Sequence, residues 1–399
     1  MSETPVVLTA EGVRDIQDAL QEAGLDGWLL YEFHGQNPIA ASLTGLGWNT
    51  RRSFVLVPRS GDPVALIHAI EGSSWRHWPW ETRRYAGWRE MEAALGVLVA
   101  GRPRLAMEIS PGSAVPTLDR IPAGLLELLR SLGVEPVGSG DLVTRFHARW
   151  TPEQLAVHRT SAAVLQDVAR EAFRRAADAV RAGAPLTEGT LSRWILETLD
   201  REGQGADSGC IVAIGPRAAD PHYQPGEVGE TIAAGHVLLI DLWGKPTASA
   251  VAADQTWMGI LDSTVPPRVQ EVWEAVRDSR DAALTFLQER FAAGTPIRGF
   301  EVDDVARWVI TDRGYGDFFV HRTGHSIDTD LHGSGPNLDN LETRDDRFLI
   351  PGVGFSVEPG IYLPDDLGVR SEVDVYWGEE GPDVTTPDPQ REIFRLLEG

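Results

Sequence analysis

The sequence predicts an α+β chain, with a small α/β layer domain over residues 1–150 and a larger domain over 151–399 built on antiparallel strands. Three observations predict it. Helix and strand patterns alternate up to about residue 150. Beyond Gly209 they segregate into blocks of strands, then helices, then strands again, which favours an antiparallel sheet. A chain of 399 residues, 42% hydrophobic and 24% charged, has the size of two globular domains and enough apolar content for a core in each.

In the first domain, "EGVRDIQDALQEAGLDGWLLYE" reads as an amphipathic helix, a stop at Gly24 and a strand. "SFVLVPRSGDPVALIH" reads as two strands around a turn at Ser60–Pro63. "GLLELLRSLGVEPVG" repeats the helix–glycine–strand pattern. The boundary falls at "RWTPEQL", where Thr151 can cap a helix and Pro152 occupies its first position. That helix should run to about Ala182 and stop at Gly183 and Pro185, and Thr187 should start another. Short strands follow in "CIVAIG", "HVLLIDLW" and "ASAVAADQTWMGI". The helices "PRVQEVWEAVRDSRDAALTFLQERF" and "EVDDVARWVITDRG" come next, then strands in "FFVH", "GFSVEPGIYL" and "GVRSEVDVYW".

A net charge of −23 argues against nucleic acid and anionic membranes, which require a positive footprint. The single cysteine, Cys210, excludes an internal disulfide and fits a reducing compartment. The N-terminal stretch lacks a basic segment followed by an apolar one, and no apolar run approaches the roughly 20 residues of a membrane span. The expectation is a cytoplasmic protein.

Four carboxylates interrupt strand-like segments of the second domain: Asp241 in "LLIDLWG", Asp254 in "VAADQTW", Glu358 in "SVEPGIY" and Glu372 in "VRSEVDV". His325 sits in "HRTGHSIDTDLHG", flanked by His321 and His332. A carboxylate facing a core is costly unless paired, and a metal ion or a buried arginine would each serve. A hairpin turning near Lys245–Thr247 would set Asp241 across from Asp254, and one around "LPDDLG" would do the same for Glu358 and Glu372. Opposed like charges destabilise a sheet unless a cation lies between them. An oxygen-rich set with one imidazole suits Mn²⁺, Co²⁺ or Zn²⁺. "HRTGH" is not a zincin helix, because it lacks the glutamate of HExxH and Gly324 breaks the helix.

The order Asp, Asp, His, Glu, Glu in these contexts resembles the pita-bread metallopeptidase family of Xaa-Pro dipeptidases (prolidases), aminopeptidases P, methionine aminopeptidases and the metal-free creatinase. The resemblance covers the chain from about Thr151 onward. The first domain is similar to the creatinase-type N-terminal domain, with "NPIAASLTGLG" where relatives carry a "YLTGF"-like turn. It departs in three places. The Asp241–Asp254 interval is two residues longer than is common, the signature around Asp254 is reduced to "ADQTW", and "SIDTDLHG" replaces a glycine-rich segment.

The resemblance implies two divalent ions, Mn²⁺ ahead of Co²⁺ or Zn²⁺, held by Asp241, Asp254, His325, Glu358 and Glu372, with Asp254 and Glu372 bridging. It implies that Glu358 handles the proton of the attacking water. His222, His321 and His332 would line the cleft and stabilise charge. Tyr362 and Arg370 would lie near the substrate, with Arg370 or another cation holding a terminal carboxylate. The implied activity is hydrolysis of Xaa-Pro bonds, foremost in dipeptides. The alternatives are an aminopeptidase P acting on longer peptides, a metal-free creatinase-like hydrolase, and a non-catalytic binding module. The implied partners are proline-containing di- or oligopeptides and a second copy of the chain, which His34, Asn37 or Trp48 would reach across to meet.

Overall fold

The computed structural model describes residues 8–46 and 48–398. The first seven residues, read above for a leader, and Gly47 of "NPIAASLTGLG" lie outside the described residues. The chain divides into two compact units, Met1–His147 and Ala148–Gly399. No helix among the described residues is long and apolar enough to cross a membrane.

The first unit runs α1 (Ala10–Glu22), β1 (Gly27–Glu32), α2 (Pro38–Thr44), β2 (Ser53–Pro58), β3 (Val64–His68), β4 (Glu81–Tyr85), α3 (Trp88–Val99), β5 (Arg104–Met107), α4 (Ala123–Ser131), β6 (Glu135–Gly138) and α5 (Gly140–Phe146). Its strands form one mixed sheet in the order β4-β3-β2-β1-β5-β6. The two-residue alternation of strands explains how both faces are covered. Trp28, Leu30, Val55 and Val57 meet Ile16 and Leu20 of α1 on one side. Leu29, Tyr31, Phe54 and Leu56 meet Leu95 of α3 and Leu129 of α4 on the other. Asn37 does not extend toward a partner: it is buried, its Oδ1 caps α2 through Ala40 N at 3.2 Å, and its Nδ2 donates to Glu108 at 2.8 Å. His34 and Trp48 are exposed.

The second unit opens with α6 (Pro152–Ala182) and α7 (Glu188–Arg201). Thr151 and Gln154 close a reciprocal capping box at the start of α6, with hydrogen bonds of 2.9 and 3.2 Å. Gly183, at φ 63°, ends it in the left-handed region open to glycine. Next come β7 (Ala206–Ile214), β8 (Val237–Lys245), β9 (Ala253–Ile260), α8 (Pro267–Ala292) and α9 (Gly299–Asp312). The chain finishes with β10 (Ser326–Ile327), β11 (Gly354–Val357), β12 (Gly360–Leu363), β13 (Leu367–Arg370), β14 (Val373–Gly378), β15 (Gly381–Val384) and β16 (Phe394–Arg395). The strands pair as β16-β9-β8-β7, β10-β11-β14-β15 and β12-β13. All these pairs are antiparallel except β16 with β9.

Two features differ from the sequence reading. "FFVH" is not a strand. A short 3₁₀ turn covers Gly316–Phe318, and Arg307 takes the carbonyls of Phe319 at 2.9 Å and His321 at 2.8 Å, which leaves no ladder to build. The hairpin after Asp241 is also wider: β8 ends at Lys245, β9 begins only at Ala253, and residues 246–252 form the connection.

The central sheet is buried on both faces. Cys210, Val212, Leu238, Ile240, Leu242, Ala253 and Trp257 face α6 and α7, whose Ala162, Ala169, Ala172 and Ala176 admit close approach. Ile211, Val237, Leu239, Met258 and Ile260 face the β12–β13 hairpin and α8, where Trp273 is fully buried. Asp241 and Asp254 fall at positions of this second face by the same alternation.

Replacing Thr151 by Ala removes the capping box of α6. The expected cost is about 1 kcal/mol, read as a lower urea midpoint for the second unit. An unchanged midpoint would show that the cap contributes nothing.

Candidate metal centre

Strand register decides where the carboxylates fall. Across the β8–β9 pair Asp241 stands opposite Thr256, and Trp243 opposite Asp254. The two aspartates are therefore diagonal neighbours on one face, not directly opposed as a tight hairpin would have made them. Glu358 and Glu372 do face each other. Val357 pairs with Val373 and Gly360 with Arg370, so a single register runs through both stretches, and the glutamates meet at the break between them.

His325 arrives from the segment after α9. Its backbone N donates to Ser356 Oγ at 3.0 Å, its carbonyl accepts from Ser356 N at 2.9 Å, and Glu358 N donates to Thr323 O at 2.7 Å. Gly324 is required here, because a Cβ at this position would lie 1.9 Å from Ser356 O. Asp303, fully buried on α9, fixes the approach by accepting from Thr323 N at 3.0 Å and Thr323 Oγ1 at 2.6 Å while paired with Arg307 at 2.9 Å.

The five residues line one cavity of about 510 Å³ together with His222, His321, His332, Trp243, Arg322 and Arg370. Ligand atoms of Asp254, His325 and Glu372 all lie within 4.8 Å of one another. Glu358 Oε1 is 3.4 Å from His325 Nε2. Asp241 shares the cavity, and its Oδ2 is held by Arg370 Nη2 at 2.5 Å.

Burial and like charge set the electrostatics. Burial pushes the carboxyl of Asp254 well above its ordinary range, and the charges of Asp241, Asp374 and Glu358 add to the effect. Glu372 is raised well above its usual value for the same reasons, burial first and then Asp254 and Glu358. Asp241 is raised by burial despite Arg370. Burial would raise Glu358 too, but His325, His321, Arg370 and Arg322 together outweigh it and hold this carboxyl below its usual range.

The donor set fits a divalent cation on two structural grounds. Asp241 Oδ1 and Asp254 Oδ1 are buried with no hydrogen-bond partner, so each has a lone pair to give. His325 Nδ1 lies 3.2 Å from the carbonyl of Ser326, which can only accept, so the ring proton sits there. Nε2 is then an acceptor turned toward Asp254 at 3.6 Å and Glu358 at 3.4 Å, an arrangement that a cation between them would suit.

The surrounding groups differ from expectation in two respects. Arg370 is buried and already engaged by Asp241, by Thr256 Oγ1 at 2.9 Å and by Tyr362 at 3.4 Å, so it anchors the carboxylates from within the site. His321 Nδ1 meets the Arg322 carbonyl at 2.7 Å, which assigns its proton to that nitrogen, and Nε2 accepts from Tyr362 Oη at 2.8 Å. With burial holding its pKa down, neutral His321 ends a relay from Arg370 through Tyr362 and offers no free N–H to an oxyanion. His332 packs edge-on against His325, ring centroids 4.4 Å apart, and His222 lines the cavity from the loop after β7.

Asp374 and Thr256 belong to the site although the sequence reading missed them. Asp374 is fully buried and accepts from Asp254 N at 2.9 Å, and burial pushes its carboxyl up to about 8. The nearby His158 does not neutralise it, because burial holds that imidazole down at about 4. A signal was available: in "SEVDVYW" Asp374 lies two residues after Glu372 and so shares its strand face. Thr256, opposite Asp241, donates to Glu372 at 2.7 Å.

The profile of metallopeptidase family M24 matches residues 162–379, more than half of the chain. The chain belongs to metallopeptidase family M24. Family membership implies a divalent-metal site, and the cavity just described holds the residues suited to it. The chain is 32% identical over 227 residues to the Xaa-Pro dipeptidase of Lactobacillus helveticus, covering 55% of this chain and 57% of that protein. It is 27% identical over 341 residues to the probable dipeptidase PepE of Mycobacterium tuberculosis, covering 83% and 82%. The match thus spans little more than half the length of the Lactobacillus helveticus relative. Among solved structures, dipeptidase PepE from Mycobacterium ulcerans superposes with a TM-score of 0.77 at 25% identity over 99% of both chains. An Xaa-Pro dipeptidase from Bacillus anthracis, at a TM-score of 0.64 and 23% identity over 96% and 99% of the two chains, shares the fold. The second unit has the pita-bread fold that the residue order resembles.

Raised carboxyl values carry a pH signature. Asp374, lifted from 3.8 to about 8, contributes stability to the metal-free protein that is complete below about pH 4 and is lost as pH climbs through 8. Asp254 and Glu372 are raised in the same direction, and a bound cation acts against that rise because it requires ionised ligands. The melting-temperature gain from adding Mn²⁺ to chelator-treated protein is expected to be larger at about pH 8 than at about pH 5.5. Equal gains in differential scanning fluorimetry would contradict a carboxylate cage.

Proposed function

We propose that this protein hydrolyses Xaa-Pro bonds, foremost in dipeptides, using two divalent cations, with Mn²⁺ preferred over Co²⁺ or Zn²⁺. The observation that carries the reading is the convergence of Asp241, Asp254, His325, Glu358 and Glu372 on one cavity in a member of family M24. Relatives named Xaa-Pro dipeptidase support the substrate class.

Those five residues would hold the cations. When bound, such ions polarise a carbonyl oxygen and acidify water. The remaining work falls to the chain. Glu358, the carboxylate kept ionised by its neighbours, takes the proton of the attacking water and passes it to the leaving proline nitrogen. That nitrogen is tertiary and has no N–H, so the pocket recognises the ring by shape. Ile211, Trp243 and Leu331 supply apolar wall. His222 and His332, which line the cavity, donate to carbonyl oxygens of the bound substrate and position it. Arg370, committed to Asp241, leaves the substrate's free carboxylate to Arg322, which lines the cavity and is only loosely paired with Glu342 at 3.9 Å.

A cytoplasmic homodimer completes the proposal. The single buried cysteine fits a reducing compartment, and the exposed Trp48 and Trp88 of the first unit are suited to a second copy.

Mn²⁺-loaded protein is expected to cleave an Xaa-Pro dipeptide with higher kcat/KM than the matching Xaa-Pro-Yaa tripeptide. Glu358→Gln should lower kcat by about 10²–10⁴-fold. Faster tripeptide turnover would overturn the dipeptide preference and leave an aminopeptidase P. No metal in the purified protein and no Mn²⁺ activation would leave a creatinase-like hydrolase or a binding module.

A further inference from the structure

The chain has 36 lysines and arginines, and Lys245 is its one lysine. Its position is unusual for a cation: it is 3% exposed, at the end of β8, four residues beyond Asp241. Three acceptors converge on its Nζ. They are the Thr329 carbonyl, Asp207 Oδ2 at 3.0 Å and the Ala248 carbonyl at 3.4 Å. An ammonium carries three donors on a single atom, whereas a guanidinium spreads its donors around a plane. A point at which three acceptors meet therefore suits lysine and not arginine.

The partners come from three different segments. Asp207 sits where the β7–β8 register shifts between Ala206 and Gly209, and has a φ of 50°. Ala248 lies in the wide connection after β8. Thr329 lies in the loop 328–333 that carries His332. That loop is braced internally: Asp328 accepts from Asp330 N at 2.8 Å and Ser334 N at 2.7 Å, and Gly333 N donates to Ser326 O at 2.7 Å. Holding Thr329 therefore fixes His332, whose ring stands 4.4 Å from that of His325.

We propose that Lys245 is a positioning residue that clamps the His332 loop to the end of the strand bearing Asp241, and so sets how the cavity grips its substrate. The proposal rests on the peptidase reading above. It assigns the clamp to substrate binding and not to metal retention, since none of Lys245's three partners is among the five residues assigned to the cations.

The test compares full-length, Mn²⁺-loaded wild type with Lys245→Met, Lys245→Arg and Asp207→Asn. The last is the milder change, because the Asp207 side chain is 73% exposed. Amide hydrogen exchange over residues 328–334 should speed up about tenfold or more in both Lys245 variants and less in Asp207→Asn. KM for the Xaa-Pro dipeptide should rise about tenfold, with kcat within about twofold, the signature of lost uniform binding. Metal content by mass spectrometry should stay at the wild-type level. Unchanged exchange in all three variants, full rescue by Lys245→Arg, faster exchange with unchanged KM, or a fall in metal content and kcat at constant KM would each overturn the proposal. If wild type hydrolysed no Xaa-Pro peptide, the peptidase reading would fail, and the exchange measurement would still decide whether Lys245 holds the loop.

Discussion

The repulsion among buried carboxylates is the constraint to which the second unit is built. Asp241, Asp254, Glu372 and Asp374 are each at most 7% exposed, and Glu358 lies among them. Left ionised without compensation, such a group costs several kcal/mol per charge. The chain tolerates this because backbone ladders and apolar cores force the geometry. Leu238, Ile240 and Trp257 drive one face of the sheet onto α6 and α7, and alternation then commits Asp241 and Asp254 to the other face. Arg370 neutralises one charge from within. Four ionised ligands less one guanidinium leave an excess of negative charge that bound dications would offset.

The sequence made the carboxylates legible because a charge inside an apolar strand conflicts with its surroundings. Asp241 in "LLIDLWG" and Glu372 in "VRSEVDV" stood out on that ground alone. The choice between a metal and an arginine partner could not be made from the residues. Asp241 explains why, since one of its oxygens takes Arg370 while the other has no partner. Roles came from the resemblance, and helix limits came from caps such as Thr151 and Gly183.

What remained hidden was set by register and by long-range hydrogen bonds. The diagonal offset of Asp254 follows from a connection seven residues long between β8 and β9, whose turn carries no simple signature. Asp374 shares the face of Glu372 two residues earlier, but the group it accepts from, Asp254 N, lies 120 residues away in sequence. The tautomer of His321 depends on Arg322 O and Tyr362, forty-one residues away, and no local pattern encodes it. "FFVH" has strand composition, but Arg307 claims its carbonyls.

These differences follow one division of labour. Strands β8 and β9 deliver Asp241 and Asp254, and Glu358 and Glu372 sit at the break between the β11–β14 and β12–β13 ladders, one residue beyond a strand end or before a strand start. Loops deliver the histidines, and each loop needs its own anchor. Asp303 holds the approach to His325 through Thr323. Glu188 accepts from Tyr223 Oη at 2.8 Å, Glu230 N at 2.7 Å and Ile214 N at 2.8 Å, and so fixes the loop of His222. Lys245 holds the loop of His332. Each anchor is a buried charged side chain that takes at least two backbone groups, the arrangement that ties irregular chain to a rigid core at low entropic cost. An anchored loop can change its sequence between anchor and tip without disturbing the carboxylates beneath. In this chain "SIDTDLHG" follows His325 directly, and His325 Nε2 still stands 3.4 Å from Glu358.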